Sequence, residues 1–163
     1  MAKKVAFLGI FTALGMVLGW LESLMPIYLV IPGMKIGLAN MVTLLVLYRF
    51  SWKEAAVVNL LRIGLSILLF GTPSLLPFSV AGALFSLVGM TLLKKTDKCP
   101  ILVVSVVGAI LHNLGQLIMA IFILRTGILA TWIPILVLAG GIAGVLIGVV
   151  GAFLHKHLPK EIS

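Results

Sequence analysis

Acidic residues are scarce in this chain of 163 residues, which holds four Asp and Glu side chains against twelve Lys and Arg. Asp97 is the single aspartate. Magnesium-dependent diphosphate chemistry needs clustered carboxylates to hold the metal ions, and four scattered acids cannot form such a cluster. We therefore predict a protein that is not an enzyme, with no catalytic residue, no metal and no cofactor.

Charge of either sign is also low, because only 10% of the residues are charged while 62% are hydrophobic. A soluble domain is about one-quarter charged. The formal charge is +8, but the basic residues lie in short gaps between apolar runs, which is typical of membrane topology signals. There is no basic stripe with interleaved aromatic residues. The pattern predicts one integral membrane domain over residues 1–163, surrounded by lipid, with no nucleic-acid partner.

Cysteine is nearly absent, since Cys99 is the single one in the chain, and an internal disulfide is therefore excluded. The first apolar run follows two lysines in the manner of a signal peptide, but no cleavage site with small residues follows it. We expect this run to remain as an uncleaved first span.

Six apolar runs predict an all-α membrane protein with six transmembrane helices in a compact bundle. Nine Lys and Arg residues fall at the two ends and in the even-numbered connectors, whereas Lys35 and Arg125 fall on the opposite side. The positive-inside rule then places both termini in the cytoplasm and the chain in the cell membrane. The predicted spans are about 5–24, 36–48, 55–70, 75–93, 101–124 and 129–154.

Three polar residues interrupt the fifth apolar run near its middle: His112, Asn113 and Gln116. Polar groups at that depth are costly to leave unpaired in hydrocarbon, so they should face other helices or a wet cavity. Arg62 falls near the centre of the third run, where an arginine costs about 2.5–3.5 kcal/mol to insert. We expect Arg62 to face the bundle interior, with an acid, a carbonyl or a ligand as its partner.

Further polar residues are predicted at similar or more outward depths. Glu22 near the end of the first span is either interfacial or functional, and it would pair with one of the cations. Backbone N–H groups at the start of the second span, near Lys35, would suit an anion. Together these residues predict a pocket that opens to the outside and favours an anionic ligand. The predicted ligand-binding residues are Glu22, Lys35, Asn40, Arg62, Ser66, Ser79, His112, Asn113 and Gln116.

Small residues mark faces where helices approach closely. One face of the first span carries Thr12, Gly15, Gly19 and Glu22, and Gly9 and Ala13 form a second small pair on the same span. In the sixth span we predict a packing face formed by Gly141, Gly144, Gly148 and Gly151.

Five short segments of the sequence form a set of motifs: Pro32-Gly33-Met34-Lys35-Ile36-Gly37-Leu38-Ala39-Asn40, Leu61-Arg62, Phe70-Gly71-Thr72, Phe78-Ser79-x-Ala81-Gly82-Ala83 and His112-Asn113-Leu114-Gly115-Gln116. This set resembles the family labelled heptaprenyl diphosphate synthase component I, which is also called the Gx transporter family. The resemblance covers nearly the whole chain. Its six-span plan is similar to the substrate-binding S components of energy-coupling-factor transporters.

The resemblance implies a membrane subunit that captures a small vitamin-like, isoprenoid-, quinone- or flavin-related molecule from outside. It further implies a partner membrane subunit driven by ATPases, on which the small-residue face at Gly9 and Ala13 would dock. The alternative is a non-catalytic membrane subunit that anchors a prenyl diphosphate synthase or a flavin-linked redox complex.

Overall fold

All regular secondary structure in the described part of the chain is helical. A computed structural model describes residues 2–24, 37–70 and 73–157. These residues form six α-helices and no strand, which confirms the predicted fold class. The helices are α1 (Ala2–Leu24), α2 (Leu38–Arg49), α3 (Trp52–Phe70), α4 (Leu76–Lys95), α5 (Ile101–Leu124) and α6 (Ile133–His157), with 3₁₀ turns at Pro73–Leu75 and Gly127–Trp132.

Four stretches of the described chain are long and apolar enough to cross a membrane: α1, α5, and α4 and α6 each with its preceding 3₁₀ turn. The helix α2 has 12 residues and is therefore about 18 Å long, short of a hydrocarbon core of about 30 Å. The 19 residues of α3 include Lys53, Glu54 and Arg62. The chain is thus a membrane protein by its apolar helices, and the number of crossings remains a prediction.

The observed helix bounds follow the apolar runs. The helix α5 has the bounds predicted for the fifth span. The sixth helix begins at Ile133, four residues later than predicted, because Gly127–Trp132 forms a separate 3₁₀ turn. Pro134 then falls in the first turn of α6, where its missing N–H costs no hydrogen bond.

The short helix α2 lies at the centre of the bundle. Eight of its residues are buried, and they include both polar and aliphatic side chains. The other five helices all contact α2, and α5 packs most extensively against α4 and α6. The bundle therefore has a layer of α4, α5 and α6 on one side of α2, and α1 and α3 on the other.

Glycines let the helices of the first layer approach each other closely. A Cβ at Gly144 of α6 would lie 2.5 Å from the Cα of Val106 in α5, and one at Gly115 of α5 would lie 2.8 Å from the carbonyl oxygen of Ala81 in α4. The packing face predicted for the sixth span is wrong at Gly141, where a Cβ would meet nothing within 4 Å. Gly140 takes its place, because residues spaced by four follow one stripe of the helix.

Polar contacts gather the basic connectors at one end of the bundle. Lys4 pairs with Glu54 at 2.6 Å, and Lys94 donates to the carbonyl oxygen of Leu47 at 2.5 Å. Arg49 donates to the carbonyl oxygen of His155 at 3.3 Å. Both ends of the described chain therefore lie at this basic end, as the charge pattern predicts. That this end faces the cytoplasm remains an expectation from the positive-inside rule.

Candidate functional site

Arg62 of α3 points toward α1 and α2. Its Nη2 donates to the side-chain oxygen of Asn59 at 3.1 Å. The aliphatic part of Arg62 lies against Gly15 of α1, where a Cβ would be 2.6 Å from its Cδ, and its Nη1 lies 3.8 Å from a Cβ built at Gly19. The small residues of α1 therefore make room for a guanidinium inside the bundle, in agreement with the interior position predicted for Arg62.

Glu22 lies at the end of this region away from the basic connectors. The side chain is 9% exposed and accepts a hydrogen bond from the backbone N–H of Gly37 at 2.5 Å. Gly37 has a φ of 83°, a left-handed conformation that favours glycine, and it directly precedes α2. A carboxylate at a helix N-terminus is stabilised by the exposed N–H groups there. Glu22 also attracts Arg62 electrostatically. Its negative charge therefore interacts both with the N–H of Gly37 and with the guanidinium of Arg62.

Asn59 connects Arg62 to the central helix. Its side-chain oxygen accepts hydrogen bonds from Arg62 and from the hydroxyl of Thr43 on α2, the latter at 2.9 Å. Asn59 and Thr43 are both buried, with exposures of 4% and 1%. One amide oxygen therefore joins α3 to α2 in the interior.

Asn40 extends the polar chain to the opposite layer. It lies one turn before Thr43 on α2, and its side-chain oxygen accepts a hydrogen bond from Ser86 of α4 at 3.1 Å. Ser86 is fully buried, and its Oγ lies 3.3 Å from a Cβ built at Gly108 of α5. Polar contacts therefore run from α3 through α2 to α4.

The fifth helix places its polar residues against α4 and α6. His112 and Gln116 both pack on Gly82, where a Cβ would be 2.8 Å from Cγ of Gln116 and 3.0 Å from Cε1 of His112. Asn113 is 2% exposed and donates to the carbonyl oxygen of Leu136 in α6 at 3.3 Å. These three side chains face other helices, as their position in an apolar run predicts.

The predicted site residues thus form two groups, and α2 contacts the helices of both. Glu22 and Arg62 lie with α1, α2 and α3, whereas His112, Asn113 and Gln116 lie among α4, α5 and α6. Asn40 belongs to the link between them. Arg62 and the α5 residues therefore pack against different helices, and α2 contacts the helices of both groups.

Three predicted residues stay outside these contacts. Ser66 and Ser79 are half-buried, and neither side chain appears in a hydrogen bond with the described residues. Lys35, together with the predicted anion-binding approach to the second span, lies outside the described residues. At the start of α2 it is the Glu22 carboxylate that occupies the Gly37 N–H.

Several buried polar atoms of the two groups lack a hydrogen-bond partner within residues 2–24, 37–70 and 73–157. They are Nε of Arg62, Nδ2 of Asn59 and Oε1 of Gln116. An unsatisfied polar atom in a buried position costs about 1–3 kcal/mol. A bound molecule that forms a hydrogen bond with such an atom therefore gains more binding free energy than one that contacts an already satisfied atom.

The two residues predicted for docking lie on an open surface. A groove of about 460 Å³ between α1 and α3 is lined by Gly9 and Ala13, together with the apolar side chains of Leu8, Met16 and Leu61, among others. A Cβ at Gly9 would meet nothing within 4 Å. The helix α1 thus has one small-residue face filled by Arg62 and a second that is uncovered.

Sequence analysis did not assign a binding role to Asn59, Thr43 or Ser86. A signal for Asn59 was present, because it precedes Arg62 by three residues and shares its helix face. Nothing in the sequence pairs Thr43 with Asn59 or Ser86 with Asn40, because each pair joins two different helices.

Glu22 of α1 and Glu54 of α3 lie far apart in space. Glu54 is bound by Lys4 and Ser51 at the basic end, and these hydrogen bonds, first that from Lys4, lower the pKa of Glu54 to about 2. Glu22 lies 18 residues beyond Lys4 on α1, which corresponds to about 27 Å along the helix. No group of three His, Cys, Asp or Glu residues within the described chain is arranged to hold a metal ion.

Comparison with known proteins gives one family. The family model described as heptaprenyl diphosphate synthase component I matches residues 11–154. No curated protein and no solved structure matches the chain significantly. The match spans all six helices in whole or in large part and includes Arg62, His112 and both polar groups. The chain therefore belongs to the heptaprenyl diphosphate synthase component I family, and it is a membrane protein of that family.

Proposed function

We propose that this chain is the substrate-binding membrane subunit of a transporter that takes up a small anionic molecule of vitamin-like, isoprenoid, quinone or flavin type. The observation that carries the proposal is a set of polar contacts inside a bundle of otherwise apolar helices: half-buried Arg62 and buried Thr43 both donate to Asn59, and Ser86 donates to Asn40. A purely structural membrane bundle has little use for a cation in the middle of a helix, which is costly in hydrocarbon and is usually functional.

Arg62 is the residue that would hold the anionic group. A guanidinium has five N–H donors, and among the described residues this one donates a single hydrogen bond, to Asn59. Glu22 attracts Arg62 but is itself bound to the N–H of Gly37. The remaining donors of Arg62 would bind a carboxylate or phosphate of the ligand, with a charge-assisted geometry that arginine favours.

The remaining predicted ligand-binding residues would complete this site. His112, Asn113 and Gln116 would form a second wall on α5, with Asn40 between the walls and Ser66, Ser79 and Lys35 toward the outer opening. A ligand that contacts both walls would also lie beside α2, because α2 contacts the helices of both groups. The whole of residues 1–163 would act as one membrane domain, with both termini in the cytoplasm.

Ligand binding is tested by comparing Arg62→Gln with Arg125→Gln. Arg125 is an exposed cation at the opposite end from the basic connectors, so its loss changes the net charge equally without touching the interior. Native mass spectrometry of each protein, purified from its own membrane in mild detergent, should show a small-molecule adduct in the wild type and in Arg125→Gln. Loss of the adduct is expected in Arg62→Gln with the helical content unchanged, and an adduct retained there would contradict the proposal.

A partner subunit would dock on the groove between α1 and α3. The open surface at Gly9 and Ala13 suits close approach of another helix, and this partner would be the membrane subunit that couples transport to ATPases. Filling the groove with Ala13→Leu should remove co-purification of the partner, whereas Gly141→Leu on an open face of α6 should not. Equal co-purification with both variants would place the partner elsewhere.

The family description favours a second function, that of a non-catalytic membrane anchor for a prenyl diphosphate synthase or a flavin-linked redox complex. In this case the groove would hold a synthase or redox subunit, and Arg62 would have a structural task. Co-purification with tagged chain separates the two functions. A soluble synthase or flavoprotein, with no adduct in the bundle, supports the anchor, whereas ATPases and an adduct that depends on Arg62 support transport.

A further inference from the structure

The groove between α1 and α3 has an apolar lining that begins next to the basic end of the bundle. Leu8 and Met16 line it on α1, and Val57 and Leu65 line it on α3. Thr12 also lines the groove, but its hydroxyl already donates to the carbonyl oxygen of Leu8 at 2.8 Å. The lining therefore suits a hydrocarbon chain.

The groove is open along its side to the surrounding lipid. Val5 and Val57 at its rim are 69% and 51% exposed, whereas Val58 at its floor is 1% exposed. A Cβ at Gly9 would meet nothing within 4 Å. A chain of the surrounding bilayer can therefore enter the groove sideways.

The depth of the groove corresponds to one leaflet of the bilayer. The helices α1 and α3 both begin at the basic end, where Lys4 of α1 pairs with Glu54 of α3 at 2.6 Å. Met16 lies twelve residues beyond Lys4, and Leu65 lies twelve residues beyond Lys53, so each wall reaches about 18 Å from its lysine. Half of the hydrocarbon core is about 15 Å thick. The groove therefore has the length of a single acyl chain that reaches the middle of the bilayer.

Two lysines continue the walls of the groove at its basic end. Residues spaced by four lie on one stripe of a helix. Lys4 lies one turn before Leu8 on α1, and Lys53 lies one turn before Val57 on α3. The mouth of the groove is therefore flanked by a lysine on each helix.

Lys53 supplies the charge at this mouth that the fold does not use. The carboxylate of Glu54 is already bound by Lys4. Nζ of Lys53 lies 5.9 Å from the centroid of the Trp52 ring, and Lys53 has no acidic partner among the residues that the structure describes. Lys3 and Lys53 are both exposed. The mouth therefore carries a net positive charge, next to a tryptophan suited to the membrane interface.

We propose that the groove between α1 and α3 binds one phospholipid with an anionic headgroup, whose acyl chain lies in the groove and whose phosphate lies at Lys53. The match of an apolar groove one leaflet deep to a positive mouth selects this occupant. A zwitterionic phospholipid has the same chains, but the positive charge of its headgroup offsets that of the phosphate. Binding of the lipid does not depend on transport, and the partner subunit proposed above would displace the acyl chain when it docks.

The headgroup is tested with two lipids that share their acyl chains. The full chain is purified in mild detergent, stripped of lipid, and titrated with dioleoylphosphatidylglycerol or dioleoylphosphatidylcholine. Native mass spectrometry then counts the phospholipid molecules that each protein retains. One phosphatidylglycerol should be retained at a concentration about fivefold lower than phosphatidylcholine, the effect of about one lysine near a charged headgroup. Equal retention of the two lipids would overturn the proposal.

The position of the headgroup is tested by comparing Lys53→Gln with Lys95→Gln. Lys95 is an exposed lysine at the same basic end, but it lies on α4, which does not line the groove. Lys53→Gln should remove most of the fivefold preference for phosphatidylglycerol, whereas Lys95→Gln should leave it unchanged. An equal loss in both variants would mean that the basic end attracts anionic lipid as a whole, which would contradict a site at Lys53.

The position of the acyl chain is tested by comparing Gly9→Leu with Gly141→Leu. A Cβ meets nothing within 4 Å at either glycine, so both proteins should fold, but only Gly9 lies in the groove. Gly9→Leu should reduce the retained phosphatidylglycerol about fivefold or more, whereas Gly141→Leu should retain it as the wild type does. Equal retention by the two variants would overturn the groove as the site of the chain.

The lipid test and the transport test are distinguishable. The phospholipid is identified by its known mass, and its retention should be unchanged in Arg62→Gln because Arg62 does not line the groove. The small-molecule adduct assigned to Arg62 should in turn be unchanged in Lys53→Gln. Failure of one proposal therefore leaves the other standing.

Discussion

Glycine has opposite uses in the two sides of this bundle. Between α5 and α6 a Cβ at Gly144 would lie 2.5 Å from a backbone atom, whereas between α1 and α3 a Cβ at Gly15 would lie 2.6 Å from Cδ of the flexible Arg62 side chain. The nominal overlap is nearly the same. The consequence differs, because a backbone atom moves only with its helix while a long side chain adopts another rotamer. The contact between α5 and α6 is therefore rigid, whereas the contact between α1 and α3 can adjust by movement of the Arg62 side chain.

The largest expected loss of stability is that of Gly144→Ala, at the contact between α5 and α6. Its added methyl would meet the Cα of Val106, and overpacking of this kind costs about 1–3 kcal/mol or more. Gly141→Ala is the matched control, because the Cβ there meets nothing within 4 Å and alanine favours a helix over glycine. The thermal unfolding midpoint in detergent should fall for the first variant and not for the second. Equal midpoints would mean that the two glycines are equivalent.

A smaller effect is expected from the polar link between α2 and α3. Thr43→Val removes the hydroxyl that donates to Asn59 and keeps the shape of the side chain. The loss should be about 1 kcal/mol, since Asn59 retains the hydrogen bond from Arg62. Thr131→Val is the control, because that hydroxyl bonds to the carbonyl oxygen of Ile128 at an exposed site. A loss of stability no larger than in this control would show that the buried link contributes nothing measurable.

The matched substitution on the open side is Gly15→Ala. We expect it to cost less stability than Gly144→Ala, about 1 kcal/mol or below, the lower end for overpacking, because Arg62 can move. Displacement of the guanidinium should instead weaken binding of the small molecule that we assign to Arg62. Native mass spectrometry should then show less of the small-molecule adduct. Gly19→Ala makes only ordinary contacts, the nearest at 3.8 Å, and should change neither quantity. A stability loss for Gly15→Ala as large as that for Gly144→Ala would remove the distinction between the two sides.

The smallest expected effect is the pH dependence at the basic end. The hydrogen bonds from Lys4 and Ser51 lower the pKa of Glu54 from its ordinary value of 4.5 to about 2. A lowered carboxyl pKa contributes stability above the unfolded-state value, and this contribution is lost as the pH falls from about 4.5 toward 2. The pair is partly exposed, with 47% of the Lys4 side chain accessible, so the contribution is small.

Unfolding of the wild type and of Glu54→Gln, measured between pH 6 and 3, tests this contribution. The difference in stability between the two proteins should shrink as the pH falls, because protonation removes the charge that the substitution also removes. A difference that is constant over this range would show that Glu54 has no lowered pKa in the folded protein.

Much of the fold could be predicted from single helices. The apolar runs gave six helices, and the spacing of Thr12, Gly15 and Glu22 gave a buried face on α1. The position of Arg62 within a run predicted that it faces inward. These features depend on the 3.6-residue period and on the cost of polar groups in hydrocarbon, both of which act along one helix.

Pairings between helices could not be predicted in the same way. Sequence analysis placed Gly141 on the packing face of the sixth span, and only the packing of α6 against α5 shows that Gly140 lies there instead. Likewise, Asn59 shares its helix face with Arg62, but its bond to Thr43 depends on the register between α2 and α3. The hydrogen bond from the N–H of Gly37 to Glu22, which lies 15 residues earlier in the chain, likewise depends on how α1 meets the start of α2.

Composition and periodicity by themselves determined that this chain is a helical membrane protein with few acids and a polar set inside apolar runs. The reason is that lipid exposure and helical repeat are properties of each segment alone. Tertiary structure alone decided that α2 is central and that the polar set divides into two groups. These outcomes depend on contacts between residues far apart in sequence, which close packing of the helices fixes.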